Sequence, residues 1–271
     1  MKTALITLSA EGARLLSPLA GRLPEARLFV HESVRHERGR EVPEAERFSK
    51  IADLTASLFP ICRGLVYAAP CGVVVRALAP HVKSKFEDPA VVVLDAGGRW
   101  AVSLLSGHEG RANDLAVRVA NLTGAEPVVT TTTEALKSVI VGIGCRRGTQ
   151  AERIVAVIRE ALAAAGVSLE EVRLLASADI KADEAGLLEA AETLGVPIRF
   201  LSAAEIRTSP REFSHSDFVE EKVNLPAVAE PAALLAGRRT QFICRKKTIN
   251  GITIALAREG FSWSESVPEV R

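Results

Sequence analysis

"KSVIVGIGCRRGTQAERIVAVIREALAAAG", Lys137 to Gly166, decides the fold. Its apolar run reads as a buried strand, "GIGCRRGT" (Gly142 to Thr149) as a glycine-rich turn, and the remainder as a long helix. Gly166 stops that helix in the usual way. A strand that turns on glycines straight into a helix is the repeating step of α/β architecture.

The same texture extends in both directions. Downstream, "SLEEVRLLASADIKADEAGLLEAAETLG" reads as strand, loop carrying Lys181, and helix ended by Gly195, and "VPIRFLS" is a further strand. "VAEPAALLAG" predicts a short helix opened by an acid and a proline. "RTQFICRKKTINGITIALARE" predicts a β-hairpin with Asn250-Gly251 at its turn. The tail "GFSWSESVPEVR" reads as frayed.

Upstream, "TALITLS", "EARLFV" and "CRGLVYAAP" are short strands. "EGARLLSPLAGRL" is a helix with Leu15, Leu16, Leu19 and Leu23 near one face. "HESVRHERGREVPEAER" reads as a surface loop. "ERFSKIADLTASLF" predicts one amphipathic helix through Phe48, Ile51, Leu54 and Leu58, and "CGVVVRALAP" predicts another helix. "AVVVLDAGGRWAVSLLSGH" predicts two strands joined around Gly97-Gly98, ending in Asp95 and in Ser106 and His108. "ANDLAVRVANLTG" is a helix stopped by Gly124, and "EPVVTTTT" a closing strand. The alternation predicts two α/β domains, 1–136 and 137–271, with mostly parallel sheets flanked by helices and a cleft between them. Ligands of such sheets bind at the carboxyl ends of strands, where Asp95, Ser106, His108, the threonines and Cys145 to Thr149 are expected.

Composition narrows the class. Hydrophobic residues make up 48% of the chain and aromatics 4%, so the core must be built from Ala, Val, Leu and Ile. A formal net charge of +1 argues against a nucleic-acid partner. No apolar run reaches the roughly 20 residues that span a bilayer, so no membrane partner is expected. Cys62, Cys71, Cys145 and Cys244 are scattered without a CxxC pair, which argues against a structural zinc site. "MKTALITLSAEG" is charged too early for a secretory signal, so reduced thiols and a cytoplasmic location are expected.

Several motifs carry possible chemistry. In "GIGCRRGT" the glycines permit close backbone approach, the following helix offers free N–H groups to an anion, and Arg146 and Arg147 add guanidinium forks for carboxylate or phosphate. The GK[ST] ending of a P-loop is absent, the dinucleotide spacing is loose, and no acid closes a clear next strand. A purely structural turn remains the rival reading. In "SGHEGRAN", His108 beside Ser106 suits acid–base chemistry, with Asp95 orienting it if the strand ends are neighbours. The rival is a glycine-rich helix start with a bystander histidine. Asp179 or Asp183 is expected as an N-cap, Lys181 as either a solvated charge or a cleft residue, Glu230 as a first-turn acid, and Lys246 and Lys247 as an exposed edge. Cys71 and Cys145, at glycine turns, read as small packing residues.

Taken in order, "SLLSGHEGRAN", "VVTTTTE", "VGIGCRRGT", "ASADIKADEAGL" and "VAEPAALLA" resemble the CbiG family, the cobalt-precorrin-5A hydrolases of cobalamin biosynthesis. From about Val139 the chain is also similar to the CobE-type domain. The resemblance implies an anionic cobalt-tetrapyrrole substrate whose ring-A δ-lactone is opened by water with loss of acetaldehyde. It implies no protein cofactor and no protein metal site, because cobalt arrives in the substrate; a homodimer stays open. Position and chemistry, not the resemblance, make His108, Ser106 and Asp95 the catalytic candidates. Substrate binding would fall to Gly107, Asn113, Thr131, Gly144, Cys145, Arg146, Arg147, Lys181 and Glu230. A non-catalytic corrinoid carrier and an unrelated nucleotide-binding protein are the alternatives. Two departures stand out. The family's longer middle segment is reduced to Ala135 to Ser138 or so, and Arg111 replaces the usual second glycine of "SGHxGGAN". Arg111 implies either an extra cation near substrate or a backbone that need not be left-handed there.

Overall fold

A computed structural model describes residues 3–35, 44–213 and 227–260. The chain divides into two compact units, one up to Thr131 and one from Thr132. Part of the expected surface loop, 36–43, and the tail after Gly260 lie outside the described residues.

The first unit carries β1 (Thr3–Thr7), β2 (Ala26–His31), β3 (Glu46–Phe48), β4 (Gly64–Ala68), β5 (Ala90–Leu94), β6 (Trp100–Leu105) and β7 (Glu126–Val128). They form one sheet in the order β3-β2-β1-β4-β5-β6-β7. The first five are parallel; β6 runs antiparallel to β5, and β7 parallel to β6. Every residue of β1, β4 and β5 is buried, which is why these strands read as unbroken apolar runs. Alternate residues serve opposite faces. Leu5, Val66 and Val92 pack with α1 (Ala10–Ala20) and α4 (Ala112–Thr123). Ile6, Leu65, Tyr67 and Val93 pack with α2 (Ile51–Leu58) and α3 (Cys71–Leu78).

Two expectations need correction here. Phe48 belongs to β3, not to a helix, because its backbone pairs with His31 of β2; the helix begins only at Ile51. The threonine run leaves the strand at Val128 and coils into a short α5 (Thr132–Ala135).

The second unit carries β8 (Val139–Gly144), α6 (Ala151–Ala164), β9 (Val172–Ala178), α7 (Ala185–Leu194), β10 (Ile198–Leu201), α8 (Ala203–Thr208), α9 (Ala229–Leu235), β11 (Thr240–Ile249) and β12 (Ile252–Glu259). Its sheet order is β10-β9-β8-β12-β11, with β10, β9 and β8 parallel and the hairpin antiparallel. Residues of α6 and α7 cover one face through Ile154, Ile158, Leu187 and Ala190, and α9 covers the other. Asn250 (φ 50°) and Gly251 (φ 79°) make the left-handed two-residue turn that the Asn-Gly pair predicts. No described helix is long and apolar enough to cross a membrane.

Candidate functional site

The strand directions separate two residues that the sequence placed together. β5 and β6 are antiparallel, with Leu94 opposite Ala101 and Val91 opposite Leu105. Asp95 therefore sits at the hairpin turn, and Ser106 at the other edge of the sheet. Four residues along a strand is about 13 Å. Asp95 cannot orient His108. Its carboxylate instead holds the turn, accepting N–H groups from Arg99 (2.7 Å), Trp100 (2.8 Å) and Gly97 (3.2 Å) and pairing with the Arg99 guanidinium. Partial burial pushes its pKa up, but those bonds outweigh it and hold the carboxyl below its usual value.

The His108 loop is built where β6 ends and α4 begins. Ser106 (φ 57°) and Arg111 (φ 65°) both adopt a left-handed backbone that side chains disfavour. Arg111 thus corrects the idea that this backbone is not needed there; its guanidinium pairs with Asp114 at 2.9 Å. The carbonyls of Ser106 and Gly107 accept the N–H groups of Ala112 and Asn113 and close the loop onto the helix. Asn113, buried, accepts the Ser103 hydroxyl at 2.8 Å and donates to Thr131 Oγ1 at 2.9 Å. Gly107 lies against this pair: a Cβ there would stand 2.6 Å from Thr131 Cγ2 and 2.9 Å from Asn113 Oδ1. Asn113 and Thr131 therefore position the loop. Ser106 is 6% exposed and its Oγ has no hydrogen-bond partner among the described residues. The hydroxyl is enclosed, so only an opening of the loop brings it to a ligand. His108 is exposed. Its charged neighbour is Glu109, whose carboxyl is held below its usual value first by the Lys85 ammonium at 2.5 Å, with His108 a smaller contributor. The sequence reading missed Lys85 and Glu109, because a pairing across 24 positions leaves no local signal.

In the second unit, the carboxyl ends of β8, β9 and β10 share one edge. Gly142 and Gly144 are both pressed closely against neighbouring elements. A Cβ on Gly142 would collide with the Ala229 carbonyl of α9, and one on Gly144 with Thr253 Oγ1. The turn that follows is held by the start of α7. Glu184, 5% exposed, accepts the Gly148 N–H at 2.8 Å and faces the Lys181 ammonium at 3.9 Å. Arg147 pairs with Asp183 at 3.0 Å. Neither Asp179 nor Asp183 caps α7: Glu184 occupies that position, and Asp179 accepts the Ala203 N–H at 3.2 Å. An acid does follow β9, since the strand runs to Ala178. Cys145 is half-buried; burial raises its pKa, with Lys181 opposing, so it is a thiol rather than a poised thiolate. Glu230 is fully buried, and its Oε1 accepts the Lys246 N–H at 3.0 Å. Arg146 is exposed and has no ion-pair partner among the described residues.

Two family models match the chain in order: the cobalamin synthesis G N-terminal model over residues 53–134, and the cobalamin synthesis G C-terminus model over residues 139–257. The chain belongs to the cobalamin synthesis G family. It is 40% identical over 131 residues to a cobalt-precorrin-5A hydrolase of Salmonella typhimurium, and 39% identical over 120 residues to one of Priestia megaterium. Those stretches cover 48% and 44% of this chain but only 36% and 32% of the relatives' own lengths. It is 38% identical over 128 residues to Protein CobE of Sinorhizobium sp, covering 46% of this chain and 83% of CobE. Among solved structures, a CobE crystal structure matches 45% of this chain and 90% of its own at 38% identity, with a TM-score of 0.42. A cobalamin biosynthesis protein G homologue from Sulfolobus solfataricus matches 96% and 97% at 18% identity, with a TM-score of 0.37.

Proposed function

We propose that this protein is a cobalt-precorrin-5A hydrolase, opening the ring-A δ-lactone of its cobalt-tetrapyrrole substrate with water and releasing acetaldehyde by cleavage of a carbon–carbon bond. The 40% identity to the Salmonella typhimurium cobalt-precorrin-5A hydrolase carries the reading. Family membership at both ends of the chain supports it.

The residues suit that chemistry. Lactone opening needs a base to activate water and a group to return a proton to the departing oxygen. His108 is an exposed imidazole on a loop fixed by Asn113 and Thr131, a side chain type able both to take and to give a proton. The substrate brings its own cobalt and a set of carboxylate side chains, which guanidinium and ammonium groups hold. Anaerobic incubation with cobalt-precorrin-5A, assayed for acetaldehyde, tests the reading. Wild type should release acetaldehyde, and His108→Ala should lose on the order of a hundredfold or more in kcat. No release by folded wild-type protein overturns the function; full activity in the variant removes His108 from it.

A further inference from the structure

The His108 loop is strained at both of its ends. Ser106 (φ 57°) and Arg111 (φ 65°) bracket it, and both are side-chain-bearing residues in the left-handed region. Ser106 carries a second cost, because its buried hydroxyl has no hydrogen-bond partner among the described residues. Few buried polar groups in a native fold are left in that condition, and strained backbone beside one marks a conformation that the surroundings impose. The cover over the hydroxyl is Gly110. A Cβ there would collide with Ser106 Cβ and stand 2.9 Å from the Ser106 carbonyl oxygen and 3.2 Å from that of Asp88, so the Gly110 backbone lies directly on the serine.

The loop is fastened unevenly. Its base is firm: the carbonyls of Ser106 and Gly107 accept the N–H groups of Ala112 and Asn113 at 3.1 Å and 3.0 Å, and Gly107 is pressed against Asn113 and Thr131. Its tip, residues 108–110, is tied by the Arg111 N–H on the His108 carbonyl at 3.2 Å and by the Lys85–Glu109 pair, whose side chains are 62% and 26% exposed. An ion pair with that exposure holds weakly. The tip is therefore free to lift while the base stays bonded to α4, and its lifting uncovers the Ser106 hydroxyl.

We infer that residues 108–110 are a flap over Ser106, and that ligand binding holds the flap open by giving the Ser106 hydroxyl the hydrogen-bond acceptor it lacks when covered. A ligand oxygen that meets this hydroxyl binds the open form alone, which is the differential affinity that a population shift requires. His108 rides on the flap, so the same movement sets its place against the ligand. The inference deepens the proposed function and rests on that reading for the identity of the ligand, a tetrapyrrole whose lactone and carboxylate oxygens are acceptors.

The test places a thiol under the flap. Ser106→Cys is treated with iodoacetamide in the full chain, and the labelling of each cysteine is followed by peptide mass spectrometry. The introduced thiol should label about tenfold or more slowly than in the urea-unfolded chain, yet faster than Cys62, which is buried in the core of the same unit and reacts only on wider unfolding. Adding Lys85→Gln should speed its labelling about twofold to fivefold. Adding Gly110→Ala, whose methyl has no room on the covered serine, should speed it about tenfold or more, with Cys62 unchanged in both. Labelling as fast as in urea, in step with Cys62, or indifferent to both added changes overturns the flap. Acetaldehyde release then separates ligand contact from packing. Ser106→Ala should keep the melting temperature, since it removes an unpartnered hydroxyl, and lose about tenfold in kcat/KM. Full activity in that variant, or a loss that follows a fallen melting temperature, overturns the contact. The expected labelling without acetaldehyde release by wild type keeps the flap and sinks the hydrolase. Release by wild type with labelling that ignores Lys85 and Gly110 keeps the hydrolase and sinks the flap.

Discussion

Arg111 shows how one residue departs from its motif without changing the shape the motif requires. Its φ of 65° is what a glycine would adopt freely, and an L side chain there costs about 1–2 kcal/mol. The Asp114 pair returns little of this, because both groups are exposed. Arg111→Gly should therefore be more stable than Arg111→Ala by about 1 kcal/mol in denaturant melts, since both lose the pair and only the alanine keeps the strain. An alanine variant as stable as the glycine variant would mean that the backbone here is not left-handed in solution. The sequence shows the missing glycine but not the conformation, because arginine rarely signals a positive φ. His108 was legible as a candidate, as an imidazole framed by glycines. The pairings that build its loop were not: Asn113 bonds Thr131 across 18 positions and Lys85 bonds Glu109 across 24.

At the scale of the element, the readable signals were local ones. The Asn250-Gly251 hairpin, the helix stops at Gly124 and Gly195, and the β8–turn–α6 unit each follow from a few adjacent residues. Contacts made across the chain escaped. Phe48 fits the helical spacing of Ile51 and Leu54, yet pairing with His31 claims its backbone. A turn as short as Gly97-Gly98 forces β5 and β6 antiparallel, which sends Asp95 and Ser106 to opposite edges. Gly142 reads as a ligand-binding glycine until α9, some ninety positions on, is seen against it. The collision predicts that Gly142→Ala destabilises the protein by about 2–3 kcal/mol, because the added methyl meets backbone atoms that cannot rotate away. Chemical denaturation with the slope m unchanged checks this. A loss under 0.5 kcal/mol would mean that α9 does not approach β8 so closely.

Across the whole molecule, the buried and paired titratable groups set a stability profile with pH. On the acid side, Asp95, Glu109, Glu170 and Asp183 are held below their ordinary values, Asp95 against partial burial by its hydrogen bonds and the others by hydrogen bonds to their charged forms. Their contribution is complete above the unfolded values of 3.8 and 4.5 and is lost as pH falls through the lower folded ones. On the alkaline side the sign reverses. Burial raises Cys62 and Cys145 above 9.0, and raises Tyr67 from 10.0 to about 12, although the Thr55 hydroxyl at 3.0 Å opposes it. The folded state keeps these protons while the unfolded chain releases them. Stability should therefore be flat from about pH 5 to about pH 8 and fall above, with the Tyr67 contribution of about 2–3 kcal/mol disappearing between pH 10 and pH 12. Tyr67→Phe separates this residue from the thiols. The variant should be less stable near neutrality by the lost hydrogen bond, about 1 kcal/mol, and its stability should decline less steeply between pH 10 and 12 than that of wild type. Parallel decline of both proteins through that window would mean that the phenol titrates in the folded state as it does in water, and that the centre of the first unit's sheet is open to solvent.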